Sequence, residues 1–184
     1  MDAITLLKND HKTVEKLFKS FEKAGEGATK AKRKVVDDII TELCVHAAIE
    51  EQVFYPAVRD AMPDVEDTVL EALEEHHVAK WTLWELDNMS ADHERFDAKV
   101  TVLIESIRHH VEEEESELFP EVRKALGRKV LGEIGDAMEV AKKTAPTTPQ
   151  PEMPDTPPGN LTAAPAKAAS RKARSAAVKK KSGN

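Results

Sequence analysis

The sequence contains little cysteine, aromatic residue or glycine, and it lacks long apolar runs. Its single cysteine, Cys44, cannot form an intrachain disulfide, so nothing indicates an oxidising compartment. Aromatic residues make up 4% of the 184 residues and glycine occurs seven times, a composition more typical of helices than of sheets. Because no apolar stretch is long enough for a signal peptide or a membrane span, we expect a cytoplasmic protein with no membrane contact.

Charge and proline divide the chain into two parts. Residues 1–143 contain 20 Lys/Arg and 32 Asp/Glu, whereas residues 144–184 contain seven and two. Seven of the ten prolines lie in the second part, which has no aromatic residue. Such a segment cannot bury enough apolar surface to offset the entropy of ordering it. We therefore predict a helical domain over 1–143 and a disordered Pro/Ala/Lys-rich basic tail over 144–184.

The basic tail suggests one macromolecular partner. Lys and Arg side chains bind the phosphates of nucleic acids through salt-sensitive contacts. Seven positive charges without interleaved aromatic residues are too few for sequence-specific binding. The composition favours a purely solubilising extension, with a weak nucleic-acid contact through the tail as the alternative.

Four long segments of residues 1–143 have apolar residues at intervals of three and four, the pattern of amphipathic helices. The first helix is predicted from its N-cap Asp2 to about Ala24, and a short fifth helix over about 128–141. Short connections favour an all-α fold, an up-down-up-down four-helix bundle. Breaks between the four long helices are predicted at Gly25–Gly27, Met62–Asp64 and Ser90–Asp92.

Two segments 64 residues apart have nearly the same sequence: residues 46–61 are echoed by residues 110–125. Each opens with a His and a Glu four residues apart, which places both side chains on one face of a helix. A further His precedes each segment, at position 11 and at position 76. The inward stripe of the second helix continues from Glu50 through Val53 and Ala57. Six polar side chains thus fall at inward positions: His11, His46, Glu50, His76, His110 and Glu114.

A metal site explains this polar set better than a packed core does. An unpaired buried carboxylate is costly, so such groups are rare unless they are paired, protonated or bound to a metal. A His–Glu hydrogen-bond network is the alternative, but it does not account for the duplication. Imidazole and carboxylate ligands suit iron, manganese or zinc, and six ligands suit two octahedral ions. Glu50 and Glu114 are then the natural bridging ligands, with the four histidines as terminal ligands.

The motifs also resemble a known family. Asp10-His11, His46-x-x-x-Glu50, Glu75-His76 and His110-x-x-x-Glu114 are similar to those of the hemerythrin-like (HHE cation-binding) domain, over about residues 1–126. The resemblance implies a four-helix bundle holding two iron ions in an oxygen-bridged di-iron centre. Members of this family bind dioxygen reversibly, sense oxygen or iron, or handle peroxide and nitric oxide stress. A small diatomic or peroxide ligand is therefore expected, with the choice of iron or manganese left open.

The third helix departs from the pattern of the oxygen carriers, which have two His four residues apart in this helix. This chain has Lys80 four residues after His76 and Ala72 four residues before it, and the sequence leaves open whether His77, Glu75, Tyr55 or water completes the site. We therefore expect a protein of oxidative-stress response, sensing or peroxide removal rather than an oxygen carrier. Catalase-like or peroxidatic activity stays open against the alternative of a non-catalytic iron-binding or regulatory module. The sequence indicates no separate acid–base catalytic residue.

Overall fold

The computed structural model describes residues 1–157, and the all-α bundle predicted from the sequence is confirmed. Residues 158–184, the larger part of the predicted tail, lie outside the described residues. The α-helices are α1 Ala3–Lys23, α2 Thr29–Ile49, α3 Tyr55–Ala61, α4 Glu66–Asn88, α5 Phe96–Glu113 and α6 Phe119–Lys142. Two π-helical turns, Glu50–Phe54 and Glu114–Leu118, join α2 to α3 and α5 to α6, and a 3-10 turn, Pro63–Val65, precedes α4.

The first helix begins and ends where the sequence predicts. The Asp2 side chain accepts a hydrogen bond from the Thr5 backbone N–H at 3.0 Å and one from the Thr5 hydroxyl at 2.7 Å. An N-cap of this kind satisfies one of the free N–H groups at a helix start and contributes about 1 kcal/mol. The next turn contains Gly27 at a φ of 78°, a backbone conformation that glycine adopts without strain. Within residues 1–157 no helix combines the length and the apolar character that a membrane crossing needs.

The apolar core is divided into two clusters. The first lies where the start of α1 meets α3 and α6, around Ile4, Phe54 and Phe119. The second lies among α1, α2, α4 and α5, around Phe18 and Phe96. The buried histidines and glutamates predicted as ligands belong to neither cluster, and they form a polar layer between the two.

The π-helical turns change which residues face the core after each glutamate. Both turns are followed by a proline at the second position, which has no N–H to give to the helix ladder. The N–H of Tyr55 bonds the carbonyl of Glu50, five residues back. The extra residue in the turn rotates the following helix, so the predicted inward positions 53 and 57 are only half-buried. Phe54 and Val58 are fully buried instead.

The fifth helix is longer than predicted. We expected a short helix over about 128–141, whereas α6 begins at Phe119 directly after the second π-helical turn and ends at Lys142. Gly127, with φ 68° and ψ 172°, breaks its regular geometry. This glycine bends the chain so that the second part of α6 returns against the start of α1, closing the first cluster with Leu131, Ile134 and Met138.

Gly135 lies at the closest approach between α6 and the N-terminus of the chain. A Cβ at this position would stand 2.0 Å from the Met1 carbonyl oxygen and 2.8 Å from the Ala3 nitrogen. Because both are backbone atoms, the two helices would have to separate. We expect Gly135→Ala to lower the free energy of unfolding by about 1 to 3 kcal/mol, measured by urea denaturation.

Gly132, three residues earlier on the same helix, is the matched control. A Cβ there would meet nothing within 4 Å. Gly132→Ala should therefore raise the free energy of unfolding by about 0.5 to 1 kcal/mol through helix propensity alone. Equal and stabilising effects of the two substitutions would contradict the close packing of α6 on the N-terminus.

Candidate metal centre

The six residues predicted as ligands all lie in the polar layer between the two apolar clusters. Each is at most 6% exposed, and Glu50 is completely buried. Glu50 and Glu114 are the first residues of the two π-helical turns, so the internal repeat of the sequence is also a structural repeat. The four histidines come from four helices: His11 from α1, His46 from α2, His76 from α4 and His110 from α5.

The ligand atoms form two groups that share one carboxylate. Within each group the atoms lie within 4.8 Å of one another. We call the group of His11, His46, Glu50 and Glu114 position 1, and the group of Glu50, His76 and His110 position 2. Because Glu50 belongs to both, this arrangement suits two neighbouring cations joined by a carboxylate.

Each glutamate also faces one histidine of each position. Glu50 Oε2 lies 3.1 Å from His46 Nε2 and 3.4 Å from His76 Nε2. Glu114 Oε2 lies 3.3 Å from His11 Nε2 and 3.7 Å from His110 Nε2. Glu114 thus belongs to position 1 and approaches position 2 only through this longer contact with His110, and its bridging role stays a prediction.

Several buried atoms of this layer have no hydrogen-bond partner. An unsatisfied buried polar group costs about 1 to 3 kcal/mol, and folded proteins rarely retain several at one place. Cations bound at the centre would satisfy all of them except His46 Nδ1, which faces Asp10 on the outer side of the ring, and imidazole with carboxylate is a donor set that suits iron, manganese or zinc. The residues present thus fit a metal centre. The unsatisfied atoms are His11 Nε2, His46 Nδ1 and Nε2, both Glu50 oxygens and Glu114 Oε2.

In the metal-free layer the pKa values of the two glutamates are shifted in opposite directions. Burial, followed by the charge of Glu114, raises the pKa of Glu50 well above its usual value of 4.5. Burial acts the same way on Glu114, but the positive charge on His110 and contacts with His11 outweigh it and lower the pKa of that carboxyl. Two carboxyls this close do not both ionise readily without a cation between them.

Burial disfavours the charged form of two of the ligand histidines. Burial lowers the pKa of His46 to about 4 and also lowers that of His76. For His110 burial is again the largest influence, but the charges of Glu114 and Glu75 outweigh it and leave the pKa raised. A neutral imidazole keeps a nitrogen lone pair for a metal, so His46 and His76 are ready to coordinate.

Outer carboxylates orient three of the four histidine rings. His11 Nδ1 lies 2.8 Å from Glu115 and His76 Nδ1 lies 3.0 Å from Glu51. His110 Nδ1 lies 2.7 Å from Glu75, whereas the fourth contact, from His46 to Asp10, is too long for a hydrogen bond at 3.9 Å. Holding Nδ1 this way directs Nε2 towards the centre and strengthens the imidazole as a ligand.

The sequence alone does not identify these outer partners, although the internal repeat contains a sign of them. Glu51 and Glu115 directly follow the two inner glutamates in each copy of the repeat. In a regular helix neighbouring residues point about 100° apart, so a second Glu would face away from the site. The wider π-helical turn keeps Glu51 buried, at 4% exposure, and within reach of His76.

Three of the outer carboxylates are paired with lysines. Asp10 binds Lys142 at 2.5 Å, Glu51 binds Lys80 at 2.6 Å and Glu115 lies 3.1 Å from Lys8. Within residues 1–157 the partner of Glu75 is His110 rather than a lysine. The result is a repeated chain of lysine, carboxylate and histidine that leads from the surface to the metal centre.

The three residues considered as further ligands are members of neither position. His77 is exposed, and Glu75 is taken up by His110. Tyr55 is buried and its hydroxyl donates to Glu114 Oε1 at 2.9 Å. The histidines outside the predicted set, His93 and His109, are exposed as well. Position 2 therefore groups three side chains, whereas position 1 groups four.

A small cavity of about 30 Å³ lies on the histidine side of the layer. It is largely enclosed, and apart from the histidines and the stem of Lys80 its walls are apolar. A space of this size holds a molecule of one or two heavy atoms. The apolar walls are Val14, Leu43, Cys44, Ala47, Ala79, Leu83, Ile107 and Val111.

The chain has relatives among characterised and uncharacterised proteins. It is 26% identical over 150 residues to an uncharacterised hemerythrin-like protein of Schizosaccharomyces pombe, a match that covers 81% of this chain and 73% of the other. It is also 26% identical over 142 residues to a DNA nickase of a Nostoc species, where the match covers 77% of this chain but only 39% of the relative.

A solved structure and a family model also match this chain. A crystal structure of a hemerythrin HHE cation-binding domain protein from Mycobacterium kansasii superimposes with a TM-score of 0.66. That match has 21% identity, covers 78% of this chain and 86% of the other, and establishes similarity of fold alone. The family model of the hemerythrin HHE cation-binding domain matches residues 2–122, which include all six predicted ligands. The chain belongs to the hemerythrin HHE cation-binding domain family.

Proposed function

We propose that the protein holds two iron ions at positions 1 and 2 and binds or reacts with a small oxygen species, O2, H2O2 or NO. We place this activity in oxidative-stress response, sensing or peroxide removal in the cytoplasm. The observation that supports it best is the enclosed cavity of about 30 Å³ directly beside the four ligand histidines. An iron pair with such a space next to it can receive a small molecule and little else.

The two sides of the polar layer differ in a way that suits this function. On one side Tyr55 donates a hydrogen bond to Glu114, and Phe54 and Phe119 pack edge to face at 5.7 Å. These bulky residues exclude water and hold the carboxylates in place. On the other side lies the cavity, so an external ligand would approach from among the histidines.

Iron bound at these positions would act as a Lewis acid and as an electron donor and acceptor. The protein's own residues supply the rest. The outer carboxylates hold the imidazole rings, Tyr55 holds Glu114, and the apolar walls of the cavity keep bulk water from the reacting molecule.

Peroxide removal provides the sharpest test of this function. The expected reaction converts two H2O2 into one O2 and two H2O. We expect iron-loaded protein to evolve oxygen from H2O2 at a rate proportional to bound iron, measured with an oxygen electrode. A bulky organic hydroperoxide should be consumed at least about tenfold more slowly, because it does not fit a cavity of one or two heavy atoms.

The outcomes separate the candidate functions. Oxygen evolution that does not scale with bound iron would contradict a reaction at this centre. Full iron content with neither peroxide turnover nor binding of O2 or NO would instead support the non-catalytic alternative, an iron-binding or regulatory module whose folding responds to iron supply.

A contact with nucleic acid stays a separate prediction. The basic residues on which it rests lie between 167 and 181, outside the described residues. The DNA nickase of Nostoc shares 26% identity with this chain but is much longer, with 39% of its length matched. We propose no nicking activity on that basis.

A further inference from the structure

Lys80 lies one helical turn after the ligand His76 on α4, beside the metal centre. Its ammonium group donates a hydrogen bond to Glu51 Oε2 at 2.6 Å. The other oxygen of the same carboxylate, Oε1, lies 3.0 Å from His76 Nδ1. The Lys80 side chain is 14% exposed and that of Glu51 is 4% exposed, so this chain of three residues is largely shielded from water.

We propose that Lys80 is a positioning residue that acts through Glu51 on His76 and thereby keeps a cation bound at position 2. The proposal rests on the proposed function only in requiring that a cation occupies the centre. A protonated amine has three N–H donors and no free lone pair, so Lys80 itself is not a ligand in this arrangement. It supplies a fixed positive charge and a fixed hydrogen bond.

Geometry and charge both give Lys80 this role. With one Glu51 oxygen on Lys80 and the other on His76, the carboxylate plane is fixed at both ends, and so is the imidazole ring. Without the lysine, Glu51 would be a buried carboxylate that has lost the positive charge 2.6 Å from one of its oxygens. Partners of this kind change metal affinity by about 10- to 100-fold when they are lost.

We expect a cation at position 2 to depend on this support more than a cation at position 1 does. Position 2 is formed by three groups, Glu50, His76 and His110, whereas position 1 is formed by four. Loosening His76 therefore removes a larger share of the ligands that hold the cation.

Lys8 offers a matched control on the other side of the centre. It also pairs with a carboxylate, Glu115, that bonds a ligand histidine, His11. The Lys8 and Glu115 side chains are 37% and 33% exposed, so solvent already screens that pair. The two lysines thus take part in the same chain of residues but differ in burial.

The test compares the full-length variants K80M and K8M after anaerobic loading with Fe2+, and in parallel with Zn2+. Metal release to a colorimetric chelator is followed over time. We expect the fraction of metal held at position 2 to leave K80M at least about tenfold faster than wild type. K8M should release its metal within about twofold of wild type.

Two further variants distinguish positioning from a general effect on folding. K80R keeps the charge and should retain metal nearly as wild type does. The double variant E51Q/K80M replaces the pair by neutral groups, and its amide oxygen can still accept from His76 Nδ1. Compared with K80M, we expect the metal-free double variant to regain the thermal stability of metal-free wild type, and the metal-loaded double variant to regain part of the metal retention.

The results that would overturn the proposal are specific. Metal release from K80M at the wild-type rate would do so. If K80M and K8M release metal equally faster than wild type, Lys80 has only a folding role. The same holds if K80M loses metal faster from both positions and K80R does not restore the wild-type release rate. If wild-type protein retains Zn2+ but shows no oxygen chemistry with iron, the proposed function fails while the Zn2+ release rates still decide the role of Lys80.

Discussion

Replacing Glu50 by glutamine should remove most of the bound metal and at the same time make the metal-free protein more stable. Glu50 belongs to both cation positions, so an amide there weakens the ligand sets of both. We expect metal affinity to fall by at least about tenfold, the lower end of what loss of a supporting group already causes. Metal content after purification and equilibrium dialysis measures this effect.

The gain in stability follows from the pKa of the same residue. Burial and the nearby charge of Glu114 raise the pKa of Glu50 in the folded protein above the value of 4.5 expected in the unfolded chain. Folding therefore favours the protonated form, and this contribution to stability is fully present below pH 4.5 and is lost as pH rises through the raised value. Glutamine is neutral at every pH, so E50Q does not lose stability as the pH rises in the way that wild type does when Glu50 ionises.

At neutral pH we expect metal-free E50Q to be more stable than metal-free wild type by about 1 to 3 kcal/mol, the scale on which neutral groups replace buried ionic ones. The difference should shrink towards pH 4.5. Chemical denaturation of both proteins across this pH range provides the measurement. The control is E112Q, the same change at an exposed position on α5, which should alter neither metal content nor stability by more than about 0.5 kcal/mol. Lower stability of metal-free E50Q at neutral pH would argue against an unfavourable buried carboxylate.

Removing the metal from wild-type protein should lower its melting temperature more than any single surface substitution does. Five of the six unsatisfied atoms of the layer, all except His46 Nδ1, face the centre that bound cations would occupy. A cation present at about 1,000 times its Kd stabilises the folded state by about 4 kcal/mol. For domains of about 150 to 250 residues this corresponds to a fall in Tm of about 8 to 16 °C.

The measurement is differential scanning calorimetry before and after chelation, with metal added back to test reversibility. The variant H110A provides the comparison, because position 2 loses one of its three groups. H110A should bind less metal, and the chelator should shift its Tm by less than half of the wild-type shift. Identical melting curves with and without metal would exclude a cation from the polar layer.

Much of the candidate site could be predicted because both copies of the internal repeat contain a His and a Glu at the same spacing. The spacing of His46 and Glu50, and of His110 and Glu114, places each pair on one helix face without knowledge of the tertiary structure. The apolar stripe of α4 also favours His76 over His77, and His76 is the buried one of the two. Regular helical periodicity is sufficient for all of these positions.

The parts that could not be predicted depend on departures from that periodicity. A helix of 3.6 residues per turn carries the inward face from Glu50 to Val53 and Ala57, but the π-helical turn shifts it to Phe54 and Val58. The prolines at 56 and 120 are a visible sign of irregular hydrogen bonding, yet a proline alone does not say whether a helix ends, bends or widens.

Contacts between residues far apart in the sequence could not be predicted either. Lys142 pairs with Asp10 across 132 residues, and Glu115 contacts His11 across 104. The sequence shows that charged residues are available, but their pairing depends on how the helices are rotated against one another. The helix after Gly127 is a similar case, because its return against α1 requires the left-handed conformation of that glycine.

The division of the apolar core into two clusters has a consequence for how the sequence can change. The cluster around Phe54 and Phe119 and the cluster around Phe18 and Phe96 are distinct groups of side chains, with the ligand layer between them. Substitutions that keep volume at one end are therefore little constrained by the residues at the other. The helix ends can diverge widely between relatives, while the register of the few residues around the glutamates has to be preserved in both halves together.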